Sequence, residues 1–457
     1  MKDITRVLIA NRSEIAVRVI RACRELGIKT VLAVSEVDRE SLPAKMVDRS
    51  VCIGPAKATE SYLKVGTIVS AALGTGADAV HPGYGFLAEQ PDLAEACAQH
   101  GLIFIGPTAD NIRNMGDKLL ARKMAKELGI PIIPGSELVR DYNDAMRVAE
   151  KVSYPLLLKA AAGGGGKGMK IVEGPKDLKM VLEAASAEAR AAFGDDRIYI
   201  EHFIPNARHI EVQIVADRFG NVIHLFERDC SIQRRYQKMV EESPSPVVSS
   251  RLREGICSSA VSIARHIKYE NAGTVEFILD QDQGQFYFLE MNTRIQVEHP
   301  VTEMVTGIDL VKEQIQIAAG RPLGLPQEAV KLTGHAIECR INAEMPEDQF
   351  RPCPGRIEQW VQPTGPGIRV DTHCFSGYFV PPFYDSLLAK LVIKGGNRHE
   401  AVDRMKEALA KFVVSGIHTT IPFYQFMLKH PDYLSGKVST RWVEDVLLKE
   451  YAQPCES

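Results

Sequence analysis

Over the first hundred positions, short apolar runs alternate with stretches whose apolar residues recur at helical spacing, and this alternation restricts the fold more than any other feature of the chain. VLIA (7–10), TVLAV (30–34), ADAVHP (77–82) and LIFIG (102–106) read as strands. EIAVRVIRACRELG (14–27) reads as an amphipathic helix closed by Gly27. Strand–helix–strand repetition predicts a parallel sheet with helices on its faces. The first strand runs into NRSEIA, which holds no glycine, so the Gly-rich phosphate turn of a dinucleotide-binding domain is missing. This region is expected to be scaffold plus one wall of a site. HPGYGFLAE (81–89) follows a strand of that sheet, where α/β folds build sites, although such sequences are also ordinary tight turns.

Beyond it, DKLLARKMAKELG predicts a helix, and YPLLLKA (154–160), MKIV (169–172) and RIYIEHF (197–203) predict strands, with a helix at 178–192. Residues 209–300 read as largely β, through HIEVQIVAD, VIHLFERD, TVEFILD and QFYFLEMN, followed by a helix at about 307–319. The last section opens with the strand GHAIECRINAE and ends in helical patterns at 399–413 and 419–430. A length of 457 residues suggests two to four domains. The net charge of -3 leaves no electrostatic footprint for nucleic acid or an anionic membrane, and neither partner is expected. No apolar run reaches the roughly 18 residues of a spanning helix, and MKDITRVLIANR lacks the apolar stretch of a signal peptide. The 9 cysteines are scattered without a Cys-x-x-Cys pair, which fits a reducing cytoplasm.

Four segments carry chemistry. GGGGKGM (163–169) joins two apolar strands, where glycine lets backbone N–H groups close on phosphates; Lys167 precedes Gly168 rather than Ser or Thr, so it is not a Walker A loop. Lys159, on the strand before it, needs an anionic partner if buried, and phosphate would serve. In the hairpin TVEFILD…QFYFLEMN, a turn centred on Gln283 sets Glu276 opposite Glu290, with Phe288 alternating onto the glutamate side. Opposed carboxylates destabilise a sheet unless a cation lies between them. With Asn292 on the same face they form a hard-oxygen set suited to Mg²⁺. TRIQVEHPVTE (293–303) then supplies Arg294, whose planar fork matches a carboxylate or bicarbonate, and Glu298, a base. Arg340 sits on an apolar strand and needs an anion, and RDCSIQRRYQK clusters Arg234, Arg235 and Lys238, either as a solvated surface or facing phosphate or bicarbonate.

Together, GGGGKGM, ERDCSIQRRYQK, EMNTRIQVEHPVTE, HPGYGFLAE and ECRINAE closely resemble the biotin carboxylase subunit of biotin-dependent carboxylases, an ATP-grasp family, along the chain to about residue 445. The resemblance implies a mixed α/β and α+β architecture. It consists of an N-terminal parallel α/β domain (1–115), an ATP-grasp domain (116–330) with a mobile Gly-rich lid at about 133–203, and a C-terminal α+β domain (331–446). It implies that Lys118, Lys159, Gly165, Gly166, Glu201, His202, Ile204 and His209 hold ATP, with Tyr236 nearby, and that Glu276, Glu290 and Asn292 bind Mg²⁺ or Mn²⁺. Lys238, Arg294, the Val297 backbone and Arg340 would surround bicarbonate. Glu298 would remove its proton, carboxyphosphate would release CO₂, and Arg340 would stabilise the biotin enolate. The chain departs from the family pattern at Ser13, where glycine is usual, at Ala162 and Lys167 in the glycine run, at His202 and Tyr236, and at Cys353. No Met-Lys-Met biotinylation motif is present, so biotin is expected to arrive on a biotin carboxyl carrier protein, alongside a carboxyltransferase subunit, with the chain itself a homodimer. Two other readings share parts of this pattern: an ATP-grasp ligase joining a carboxylate to an amine, and a non-catalytic nucleotide sensor. TRIQVEH with Arg340 argues against the first, and the full set of charged site residues against the second.

Overall fold

The computed structural model describes residues 3–136, 138–161 and 169–452. β1 (Arg6–Ile9), β2 (Lys29–Val34), β3 (Arg49–Cys52), β4 (Ala79–His81) and β5 (Ile103–Phe104) form a parallel sheet in the order β3-β2-β1-β4-β5. Strand alternation divides their apolar residues between two cores. Val7, Ile9 and Leu32 pack under the helix Ser13–Glu25, while Leu8, Val31 and Val80 pack with Ile68 and Leu93 on the other face.

β6 (Leu156–Ala160), β7 (Met169–Val172) and β8 (Ile198–His202) make a small antiparallel sheet backed by the helices Tyr142–Val152 and Leu178–Phe193. The glycine run lies between β6 and β7; Gly165, Gly166 and the other residues of 162–168 fall outside the described residues.

The largest sheet has eight strands. β9 (Ala207–Ala216), β10 (Val222–Arg234), β11 (Gln237–Ser243), β12 (Asn271–Asp280), β13 (Gln285–Asn292) and β14 (His335–Asn342) run in the order β13-β12-β9-β10-β11-β14. Leu387–Gly395 and Ile368–Thr372 extend it past β14, so one sheet passes from the middle of the chain into its last section.

Two elements differ from the sequence expectation. Within 209–300 lies a 17-residue helix, Ser250–His266, whose Ile256, Cys257, Ala260, Ile263 and Ala264 cover one face of the large sheet and whose N-terminus is capped by Ser249. Its apolar residues do follow helical spacing, but the strands around it dominate the composition. The helix expected at about 307–319 is present as Leu310–Ala318, opened by the Asp309 cap; a short helix that the sequence did not announce, His299–Thr306, precedes it and ends at Gly307 with φ 76°. Among the described residues, no helix is long and apolar enough to cross a membrane.

Candidate active site

A cavity of about 1280 Å³ opens between the small sheet, the pocket face of the large sheet and the loop after β4. The strand registers align four charged residues in one row, of which Glu290 and Glu276 line the cavity and Glu211 and Arg228 are buried behind it. Glu290, Glu276, Glu211 and Arg228 stand directly opposite one another across β13, β12, β9 and β10. Three adjacent carboxylates destabilise a sheet, and the neighbouring strands supply the compensation. Arg228 Nε lies 2.5 Å from Glu211. Lys238 Nζ, on β11, reaches Glu211 at 2.5 Å, Glu276 at 2.9 Å and Glu298 at 2.7 Å. Lys118 lies 3.0 Å from Glu290, and His209 lies 3.2 Å from Glu276. Burial opposes charge on the His209 ring, but Glu276 outweighs it and lifts the imidazole to about 9, so the ring is a cation.

The expected pairing of Glu276 with Glu290 is present, and it depends on a bulge that the sequence does not announce. Phe277 pairs with Phe288, and one register step later Glu276 pairs with Glu290. Phe288 is therefore not on the glutamate side: it packs with Phe277 in the opposite core while both glutamates line the cavity.

Arg340 forks between two carboxylates, reaching Glu241 at 2.5 Å and Glu298 at 3.0 Å. Glu298 is buried, which alone would raise its pKa; Lys238 and Arg340 more than offset this and keep it below the ordinary carboxylate range, hence ionised. Arg294 is held by Glu89 at 2.8 Å, from HPGYGFLAE, and by Asn292 Oδ1 at 2.9 Å. Val297 lies on the same wall.

The remaining expected residues divide. Lys118, Lys159, His202, Ile204, His209 and Tyr236 line the cavity. Glu201 is fully buried and is not among the lining residues; it is the anionic partner of Lys159 at 2.5 Å and also pairs with Arg122. The need of Lys159 for an anion is thus met within the protein. Of the basic cluster, only Lys238 enters the carboxylates. Arg234 stacks 4.6 Å from the Phe350 ring, and Arg235 is exposed on the turn between β10 and β11. Glu89, Glu211, Arg228 and Glu241 escape a reading of the sequence alone. A glutamate within HIEVQIVA, a strand buried on both faces, is the available signal for Glu211.

The donors test what this wall could hold. Glu276 and Glu290 with the Asn292 amide offer oxygen ligands and fit a hard divalent cation. Two other groups, His209–Glu211–Glu276 and Glu211–Cys230–Glu298, bring their atoms as close together but fit poorly. Glu211, which both groups need, is already taken by Arg228 and Lys238, and burial pushes the Cys230 thiol well above its usual value.

Residues 3–112 match the family described as biotin carboxylase, N-terminal domain, residues 117–325 the carbamoyl-phosphate synthase L chain ATP binding domain, and residues 338–445 the biotin carboxylase C-terminal domain. The chain is 53% identical over 442 residues to a biotin carboxylase of Nostoc sp., covering 96% of this chain and 99% of that protein. It is 49% identical over 442 residues to a pyruvate carboxylase subunit of Methanothermobacter thermautotrophicus, covering 96% of this chain and 90% of that protein. Its structure matches the biotin carboxylase domain dimer of Hydrogenobacter thermophilus 2-oxoglutarate carboxylase, solved with MgADP, ADP and bicarbonate, at a TM-score of 0.95 with 47% identity and 100% of each chain covered. With that identity spread over nearly its whole length, the chain belongs to the biotin carboxylase family.

Proposed function

We propose that this cavity performs the ATP- and bicarbonate-dependent carboxylation of biotin and that the charged wall divides the work. The observation that carries the assignment is the meeting of Lys238, Glu298 and Arg340 within 3.0 Å contacts on a wall that continues into Glu276 and Glu290. Bicarbonate would sit among Lys238, Arg294, Arg340 and the Val297 backbone. An anion drawing on Lys238 and Arg340 weakens their hold on Glu298, which raises its proton affinity as it is needed as a base. Lys118 and Lys159 would offset charge on the phosphates of ATP, with Ile204, His202 and Tyr236 at the nucleotide, Glu201 orienting Lys159, and Gly165 and Gly166 supplying backbone donors. Glu276, Glu290 and Asn292 would hold Mg²⁺ or Mn²⁺, which supplies electrostatic stabilisation of phosphoryl transfer. Arg340, sharing its fork between two carboxylates, would hold the biotin enolate as it takes up CO₂.

The three matched segments support dividing the chain into 1–115, 116–330 and 331–446. Biotin would be presented by a separate carrier, with a separate carboxyltransferase using the product and the chain acting as a homodimer. A cytoplasmic location belongs to the same proposal, supported by scattered cysteines that fit a reducing compartment.

Two variants test it. Arg340→Ala should retain measurable bicarbonate-dependent ATP cleavage while biotin carboxylation falls by roughly 10² or more; equal loss of both removes the enolate role. Glu290→Gln should abolish metal-dependent turnover in a protein with unchanged circular dichroism, and full activity would exclude the metal assignment.

A further inference from the structure

Lys390 is fully buried on Leu387–Gly395, directly opposite Arg340 across the sheet. Its ammonium donates to the carbonyl oxygen of Val297 at 2.8 Å and stands 3.1 Å from Glu14 Oε2 on the helix Ser13–Glu25. The other Glu14 oxygen accepts from the Tyr84 hydroxyl, whose ring lies 5.9 Å from the ammonium and lines the cavity. Asp371 opposes Lys390 from the next strand but is paired with Arg369 at 2.6 Å. A buried ammonium is costly, and an apolar side chain of similar length would often serve stability as well or better. What an apolar residue could not do is fix the carbonyl that precedes Glu298.

We propose that Lys390 is a positioning residue for the bicarbonate turn. Anchored on Glu14, it holds the Val297 carbonyl and so fixes the backbone carrying Arg294 and Glu298. This rests on the assignment of that turn made above. It also ties the first sheet of the chain to the reacting anion through one side chain.

The alternative is a purely structural Glu14–Lys390 pair, and a double variant separates the two. Lys390→Met leaves Glu14 without its cation and lowers stability, whereas Glu14→Gln with Lys390→Met removes both charges and should regain most of it. If Lys390 positions the turn, the double variant keeps a raised KM for bicarbonate and a kcat lowered on the order of ten- to hundredfold, with the KM for ATP unchanged. Parental bicarbonate kinetics in the double variant would overturn the proposal, as would an equal rise in both KM values. Should the double variant fail to fold, Lys390→Arg decides: it keeps a charged donor and should recover bicarbonate affinity relative to Lys390→Met, and no recovery overturns the proposal. Glu298→Gln, assayed alongside, isolates the underlying site reading. An active Glu298→Gln defeats that reading, whereas an inactive one beside a parental double variant defeats only the role of Lys390.

Discussion

Glu241 and Glu242 are neighbours on β11, both buried, and strand alternation sends them to opposite faces with opposite electrostatic lives. Glu242 turns away from the cavity and is fully paired, 2.8 Å from His335 and 2.7 Å from Arg398. Burial would raise its pKa, but those two partners outweigh it and hold the carboxyl at about 2. Glu241 turns to the cavity wall, where it meets Arg340 on one side and Glu338 directly opposite on β14. Among the described residues, its Oε2 and both oxygens of Glu338 have no hydrogen-bond partner, and burial raises the pKa of each carboxyl. The structural face satisfies its charges. The reacting face leaves acceptors unmet and arginine shared, an arrangement that an incoming anion can redistribute.

Removing each carboxylate should therefore give opposite signatures. Glu242→Ala leaves Arg398 without its anion and should cost about 3–5 kcal/mol in urea unfolding, with turnover of the folded fraction unchanged. Glu241→Gln should cost less than about 1 kcal/mol, because its carboxyl already holds its proton more tightly than usual. Its effect falls on chemistry: with Arg340 released, biotin carboxylation should drop by roughly tenfold. Equal stability losses in the two variants would dissolve the contrast.

Acid titration of stability sharpens it further. Glu242 has a folded pKa of about 2 against an ordinary 4.5, so the stability it contributes is present above about 4.5 and lost as pH falls toward 2. Glu241 has a raised folded pKa, so its contribution is present below the ordinary carboxylate range and lost as pH rises through the folded value. Stability measured against pH should thus show a shallower acid-side slope in Glu242→Ala and become flatter just above the ordinary carboxylate range in Glu241→Gln. The same slopes in both variants would show that the two faces are not electrostatically distinct.

How much of this can be read from the sequence follows from how far apart the interacting residues lie. Periodicity places β1, β2 and the helix Ser13–Glu25, because their apolar residues repeat within a few positions. The glutamate hairpin is legible because its two strands are joined by a short turn, yet the bulge before Glu290 is not, and with it the true side of Phe288 is lost. Glu211, Glu241 and Glu338 are hidden because each is a charged residue on an apolar strand whose partners lie far away in sequence. Only the long-range ion pairs, Glu211 with Arg228 and Lys238 and Glu241 with Arg340, reveal why Glu211 and Glu241 are tolerated. The need of Lys159 for an anion is visible in its strand, but nothing local points to Glu201.

The smallest expected effect lies at another pair of neighbours with divided duties. Arg12 serves the scaffold, bonded twice to Asp38 at 3.0 Å, while Glu14 faces Lys390 and the bicarbonate turn. Between them Ser13 holds φ 58°, a left-handed backbone that costs an L-residue roughly 1–2 kcal/mol and that glycine adopts freely. Among the described residues its buried hydroxyl has no hydrogen-bond partner to offset that strain. Ser13→Gly relieves the backbone but gains unfolded-state freedom worth roughly 0.5–1 kcal/mol, so the net gain in urea unfolding should be about 0.5–1 kcal/mol. Turnover and the KM for bicarbonate should not change, since neither the Arg12 nor the Glu14 contact involves the Ser13 side chain. A shift in bicarbonate KM would mean that strain at Ser13 is transmitted through Glu14, and the line between scaffold and site would then have to be drawn on the other side of that helix turn.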